Sequence, residues 1–180
     1  STEAASLNLQ GSRVEGQNGA AIRVGSANQA PGDAAITISG GTTLVGSNGN
    51  LLEVANGSNA TMLVEGSNLV GDVLVEDGSS AKLTLGNQAS LTGRLTNVES
   101  LALNDGGRWN MVEDSEVAQL AMAGGAVRFG EATQYQRLTL GNLSGSGTFI
   151  MDADFSTGET DFLDITGTAT GNHSLLVGSS

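Results

Sequence analysis

A pair of apolar residues two positions apart recurs eight times in this chain, and a glycine or asparagine follows each pair almost at once. The pairs are Leu7/Leu9, Ile36/Ile38, Met62/Val64, Leu83/Leu85, Leu101/Leu103, Leu120/Met122, Leu138/Leu140 and Leu163/Ile165. In a strand, residues two apart lie on one face. A strand that returns about every 20 residues stacks on its predecessor, because a single repeat cannot bury its apolar face alone. The pattern therefore predicts a parallel β-solenoid.

Taking the second residue of each pair as a mark, the steps from Leu9 to Ile165 are 29, 26, 21, 18, 19, 18 and 25 residues. The longer steps carry insertions, which a solenoid tolerates as outward loops. The first, around positions 27–33, contains the only proline, Pro31. Two further strands can be traced inside a coil. After Leu83–Leu85 and the turn Gly86-Asn87-Gln88 come Ala89–Thr92 and Arg94–Asn97; Thr61–Val64, Asn68–Val70 and Val73–Val75 divide the preceding coil in the same way. Three short strands per coil predict a triangular cross-section, and eight coils at roughly 4.8 Å predict a rod about 40 Å long. The one helix-like stretch, Glu113–Met122, fits the strand alternation of Leu120 and Met122 better.

Composition agrees. Glycine reaches 27 of 180 residues, charged residues 14% and aromatics 3%. A disordered chain carries more charge and proline, and collagen needs a glycine at every third position. Cysteine is absent, so neither disulfides nor thiolates act here. Net charge is −12 and the seven basic residues are scattered, which excludes phosphate-rich partners such as nucleic acid. No apolar run reaches the roughly 18 residues of a membrane span, so direct membrane insertion is not expected. No signal peptide is visible; Ser1 enters a strand-like pattern directly, and both ends read as cut from a longer chain. All six aromatics fall late: Trp109, Phe129, Tyr135, Phe149, Phe155 and Phe162. Large rings bury the most surface, so the carboxyl-terminal part is expected to be the more stable.

The last forty residues depart from the simple coil. One block carries Leu143, Gly145, Gly147, Phe149, Met151 and Asp154; a second carries Asp161, Leu163, Ile165, Gly167, Ala169, Gly171, His173, Leu175 and Val177. Together they resemble the end of a pertactin-like autotransporter passenger, just before its translocator barrel. The resemblance covers positions 138–177 in motif and the rest in style. It implies an all-β fold, a right-handed parallel β-helix of three-strand coils with a carboxyl-terminal cap. Residues 1–137 would be the coils, and 138–180 an autochaperone-like segment that folds first, templates the coils behind it and is incomplete here. The partner implied is the chain's own C-terminal translocator β-barrel, and the location is the bacterial cell surface or the medium outside it. The physics of a stack agrees: folding can start at one stable end and propagate by neighbour contacts, and a bare end exposes strand edges that need covering.

Candidate chemistry is sparse, and no catalytic, cofactor-binding or metal-binding residue is assigned. His173 is the sole histidine, but it lies in phase with Leu175 and Val177, which suits packing rather than a Ser-His-Asp triad, and no Gly-x-Ser-x-Gly elbow exists. Two acidic groups, Glu113/Asp114/Glu116 and Asp152/Asp154/Glu159/Asp161/Asp164, invite calcium, yet the glycine-rich nonapeptide of calcium-binding rolls is missing. Asp72, Asp77 and Asp105 could line one face as in polysaccharide-cleaving β-helices. Gly145-Ser146-Gly147 is too short for a phosphate loop, and the Asn-x-Ser/Thr triplets at Asn56, Asn59, Asn142 and Asn172 are expected by chance in such a chain. The expected function is a non-enzymatic passenger segment that supports folding and secretion and presents adhesive or effector regions. The alternatives are a self-associating adhesive surface, with host or bacterial surfaces as partners, and the stalk of an enzyme located upstream of Ser1.

Overall fold

The computed structural model describes residues 4–180; the strand-like start expected at Ser1 lies outside them. The regular structure among these residues is entirely β. The first coil holds β1 (Ala5–Gln10), β2 (Arg13–Gly16) and β3 (Ile22–Val24). The second holds β4 (Asp33–Ser39), β5 (Thr43–Gly46) and β6 (Asn50–Val54), and the third β7 (Asn59–Glu65), β8 (Asn68–Val70) and β9 (Asp72–Val75). The fourth holds β10 (Ser80–Gly86), β11 (Ser90–Thr92) and β12 (Leu95–Thr96). Each strand pairs in parallel with its counterpart one coil away: β1-β4-β7-β10 on the first face, β2-β5 and β8-β11 on the second, β3-β6-β9-β12 on the third. This is the parallel β-helix that the repeat predicts.

The first-face register follows the aliphatic pairs. Leu7 pairs with Ile36, Ile36 with Met62, Met62 with Leu83, and Leu83 with Leu101. From Ile36 onward these residues are buried, as are Ile38, Val64, Leu85 and Leu103 one column along. Corners are stitched by hydroxyls. Thr42 is buried; its Oγ1 accepts the Ser12 amide at 3.1 Å and donates to the Ser39 carbonyl at 2.7 Å. Ser67 Oγ accepts the Thr42 amide from the next coil at 3.2 Å. A buried hydroxyl is tolerated only when bonded in this way.

The cross-section then changes. The fifth coil has β13 (Val98–Asn104) and β14 (Arg108–Asn110). The sixth is one strand, β15 (Ser115–Arg128), and the seventh another, β16 (Arg137–Ala153). The eighth holds β17 (Phe162–Ile165) and β18 (Asn172–Ser179). β15 pairs first with β13 and then with β14, so one bent strand runs round two faces. The bend falls at Gly124-Gly125, where the register shifts and Gly124 has φ +82°. A Cβ on Gly125 would lie 2.4 Å from that of Leu103, so only glycine lets the rungs close there.

This merger corrects the register read from sequence. Leu138/Leu140 do not stack on Leu120/Met122. They pair with Ser115 and Val117, and Leu143 is the residue that meets Leu120. The physical reason is that β15 and β16 begin earlier in the coil, before the first face, and absorb the region where a third-face strand would have ended. Leu163 and Ile165 do stack on Leu138 and Leu140 as expected. Of the six late aromatics, Trp109, Phe129 and Phe149 are fully buried, whereas Phe155 is 79% exposed and Phe162 about half exposed. The bulky interior is therefore built from three rings, not six.

Candidate functional site

The carboxyl-terminal coils contain both the matched blocks and most of the candidate groups. Their interior is a column in register: Leu91, Trp109, Val127, Phe149 and Leu175. Trp109 is fully buried and its Nε1–H donates to the Gly93 carbonyl at 3.0 Å. The column ends in the open. Leu175 and Val177 on β18 are more than half exposed because no described rung lies beyond them.

His173 sits beneath that open end. Its ring lies 5.9 Å from the Phe149 ring, tilted 53°. Nε2 lies 3.1 Å from the Thr170 carbonyl oxygen, so it carries the hydrogen. Nδ1 is enclosed and without a hydrogen bond among the described residues. A histidine whose ring nitrogens face a main-chain carbonyl and an apolar wall has no serine or carboxylate to relay a proton. Packing against Phe149 accounts for its position.

The acidic clusters disperse into separate structural jobs. Asp161 is buried; its two oxygens accept the amides of Gln136 at 2.7 Å and Asp152 at 2.8 Å. It thereby ties together the two ends of β16, where the chain enters and leaves that strand. Asp154 accepts the Ser156 hydroxyl at 2.6 Å and the Ser156 and Thr157 amides at 2.7 and 3.2 Å. These donors, the Ser156 hydroxyl foremost, hold its carboxyl down to about 2. Asp152 faces Arg128 at 3.6 Å, Asp164 faces Arg137 at 3.3 Å and Glu113 faces Arg94 at 3.2 Å, while Asp114 accepts the Arg137 amide at 2.8 Å. No group of three acidic or histidine residues is arranged to hold a metal ion among the described residues. Calcium needs six or more oxygens in one shaped loop, and among the described residues these carboxylates are spread over separate rungs and turns instead.

The other candidates separate as well. Asp72 opens β9 on the third face and Asp77 follows the strand, and the Asp72 carboxylate accepts the Arg94 amide at 2.8 Å. Asp105 sits in the turn between β13 and β14 with φ +48°, at the corner of the first and second faces. The three therefore do not line one face, because a coil winds several faces between them. Gly145-Ser146-Gly147 lies within β16 at its bend, and Gly145 has φ +87°. It is a corner, not a loop.

One polar centre escapes a reading by motif. Glu53 is buried on the third face and accepts the amides of Asn50 at 2.7 Å and Asn48 at 2.6 Å, with Arg23 at 2.7 Å. The Asn50 hydrogen bond is the largest cause of its lowered pKa, joined by Asn48 and Arg23, while burial opposes it. Arg23 and Glu53 are register partners on β3 and β6. The signal was a basic and an acidic residue at matching positions of consecutive coils, which becomes visible only once the third-face register is known. Its chemistry is that of a cross-coil brace.

A family model for pertactin matches residues 117–180, from early β15 to the end of the chain. The BrkA autotransporter of Bordetella pertussis is 30% identical over 150 residues, covering 79% of this chain. This chain is a pertactin-like autotransporter passenger segment. The autotransporter adhesin/invasin TibA of Escherichia coli is 32% identical over 157 residues, covering 76% of the chain. An immunoglobulin A1 protease autotransporter of Haemophilus influenzae is 33% identical over 119 residues, covering 62%. The passenger segment spans only 15%, 16% and 8% of the lengths of these three relatives. Passengers of this family are secreted or displayed outside the outer membrane, and the segment belongs on that side. No helix of the described residues is long and apolar enough to cross a membrane.

Proposed function

We propose that this segment is the structural rod of the passenger and the place where its folding begins. The observation that carries the reading is the continuous parallel pairing from β1 to β18 combined with the concentration of large buried rings, Trp109, Phe129 and Phe149, in the later coils. In a stack of this kind stability comes from each coil and its neighbours, so order spreads from the most stable part. Residues 138–180, which supply Phe149 and stack on the coils of Phe129 and Trp109, start the process, and the earlier coils wind onto this ring-bearing part. Emergence of the chain outside the outer membrane, carboxyl end first, then lets each new coil dock on a folded rung. The chain's own translocator barrel is the partner in that step.

The rod holds more distant regions away from the cell and has no chemistry of its own. Asp72, Asp114, Asp154 and Asp161 hold main-chain amides and His173 packs against Phe149, which supports a non-enzymatic role. Adhesion by the displayed regions is in keeping with the naming of TibA as an adhesin/invasin. Likeness to an immunoglobulin A1 protease autotransporter favours a second reading, in which the same rod carries an enzymatic domain.

The test is a refolding comparison. Removal of residues 138–180 is expected to slow or abolish refolding of the remaining coils, monitored by far-UV circular dichroism after dilution from urea. Removal of an equal length from the amino end is expected to leave the rate nearly unchanged. Equal losses from both deletions would contradict nucleation at the carboxyl end.

A further inference from the structure

We propose that Asn18-Gly19, at the corner between β2 and β3, is a self-modification site: the asparagine side chain closes on the glycine amide, loses ammonia and becomes a mixture of aspartate and isoaspartate. The proposal goes beyond the export role and does not depend on it. The chain has three Asn-Gly dipeptides, at Asn18, Asn48 and Asn56. Glycine, with no Cβ, lets its main-chain nitrogen come close to the preceding side chain, so the dipeptide alone ranks the three alike. The fold separates them.

Two of the three stand at equivalent places. Gly16 pairs with Gly46 and Arg23 with Glu53, so Asn18-Gly19 and Asn48-Gly49 turn the same corner in successive coils. In the second coil the group is locked. Asn48 Nδ2–H donates to Glu53 at 2.6 Å, its Oδ1 accepts the Asn50 amide at 3.1 Å, and the Gly49 N–H donates to the Gly46 carbonyl at 3.1 Å. In the first coil Arg23 stands where Glu53 would, and a guanidinium accepts no hydrogen bond. Asn18 is exposed, and among the described residues neither its side chain nor the Gly19 N–H has a hydrogen-bond partner. Asn56 is locked in another way. Its Nδ2 donates to the Ser26 and Gln29 carbonyls at 2.8 and 2.7 Å, and the Gly57 N–H donates to Ser79 Oγ at 3.0 Å.

The step needs no co-reactant but water. The Gly19 nitrogen gives up its proton and attacks Asn18 Cγ; the N–Cγ bond forms, the Cγ–Nδ2 bond breaks, and Nδ2 leaves as ammonia carrying that proton. Water then opens the cyclic imide at either carbonyl, leaving aspartate or, with the main chain routed through the side-chain carbons, isoaspartate. Attack within one chain is favoured by proximity, provided that both groups are free to turn toward each other. The effect reaches the next coil. The Ser47 amide is shared between the Gly16 and Gly19 carbonyls, both at 2.9 Å, and isoaspartate lengthens the main chain immediately before Gly19. A new carboxylate also adds to the net charge of −12. The first coil is therefore the one that ages.

Peptide mapping by mass spectrometry of the full chain, aged at body temperature and mildly alkaline pH in heavy-oxygen water, tests the idea. In the folded chain the Asn18 peptide is expected to become acid with solvent oxygen incorporated, mostly as isoaspartate. It is expected to react at least about tenfold faster than the Asn48 and Asn56 peptides, whose hydrogen bonds must first open. In urea the three are expected to react at similar rates. Gly19→Ala is expected to suppress the reaction at Asn18 and to leave the corner folded, since Gly19 is not in the left-handed region and a Cβ there would meet no atom within 4 Å. Hydrogen exchange at the Ser47 amide is expected to quicken in the aged chain and not in aged Gly19→Ala. Asn18 reacting no faster than Asn48 and Asn56 in the folded chain overturns the proposal. So does conversion without isoaspartate, or conversion undiminished in Gly19→Ala, since either means direct hydrolysis. A preference for Asn18 that persists in urea would place the cause in the neighbouring residues and overturn the role of the fold. Exchange at Ser47 unaffected by ageing would overturn the loosening of the first coil.

Discussion

Trp109 offers the sharpest test of how these coils hold together. It is the only tryptophan, it is fully buried, and it sits in the column between Leu91 and Val127. Truncation to alanine removes a side chain that buries on the order of 200 Å². At about 25 cal/mol per Å² that is about 5 kcal/mol, and large-to-small changes of this kind are measured at roughly 3–5. The indole N–H also satisfies the Gly93 carbonyl, and a buried acceptor left without its donor adds about 1–3 kcal/mol. Trp109→Ala is therefore expected to cost about 4–8 kcal/mol, whereas Trp109→Phe keeps most of the ring packing and is expected to cost about 1–3. Urea unfolding followed by far-UV circular dichroism gives both values, and tryptophan fluorescence follows the wild type independently. A loss below about 2 kcal/mol for Trp109→Ala would refute the premise that the column bears the stability of the later coils. Equal losses for the two variants would refute the separation of packing from hydrogen bonding.

Leu103→Asp, which buries an unpaired charge in the aliphatic interior, is expected to cost several kcal/mol, on the order of 3–5, in the same urea assay. Gly145→Ala is expected to lower the melting temperature clearly, because Gly145 has φ +87° and a Cβ there would lie 2.0 Å from the Met122 carbonyl oxygen; the left-handed backbone and the clash act together. Glu53 gives a pH dependence. Its folded pKa lies below the ordinary 4.5, so folding favours the carboxylate. The stabilisation is complete above about 4.5 and is lost as the pH falls through the lower folded value. Melting scans should show a steeper acid loss in wild type than in Glu53→Gln. Calcium is expected to leave the melting temperature unchanged, since no three acidic groups are gathered at one point among the described residues; a rise on titration would reveal a site that the side-chain arrangement does not contain.

The columns Leu83/Leu85 and Leu101/Leu103 were legible because alternation and coil length coincide there: the two pairs lie 18 residues apart, with a clear turn, Gly86-Asn87-Gln88, between them. Legibility failed at Leu138/Leu140. The Gly124-Gly125 pair has the composition of a turn between strands, yet it bends a continuous one. Composition alone does not separate the two, because both use the same backbone freedom and only the rung beneath, with Leu103 against Gly125, decides between them. The bonding of the acidic clusters was illegible for a related reason. Asp152 and Asp161 are near in sequence and invite a shared ion, but Asp161 faces main-chain amides of β16 that proximity along the chain does not reveal. Glu53 was silent because its principal charged partner, Arg23, lies a full coil earlier. His173 was readable, since its phase with Leu175 and Val177 already turned it inward toward Phe149.

The like-on-like register of the early coils has an evolutionary corollary. Leu83 and Leu85 present nearly the same contact surface upward as Leu101 and Leu103 do, so duplication or loss of one whole turn of chain leaves both new neighbours with compatible partners. The length of the stack is then a trait that recombination can lengthen or shorten in whole units, with no need to redesign the remaining coils.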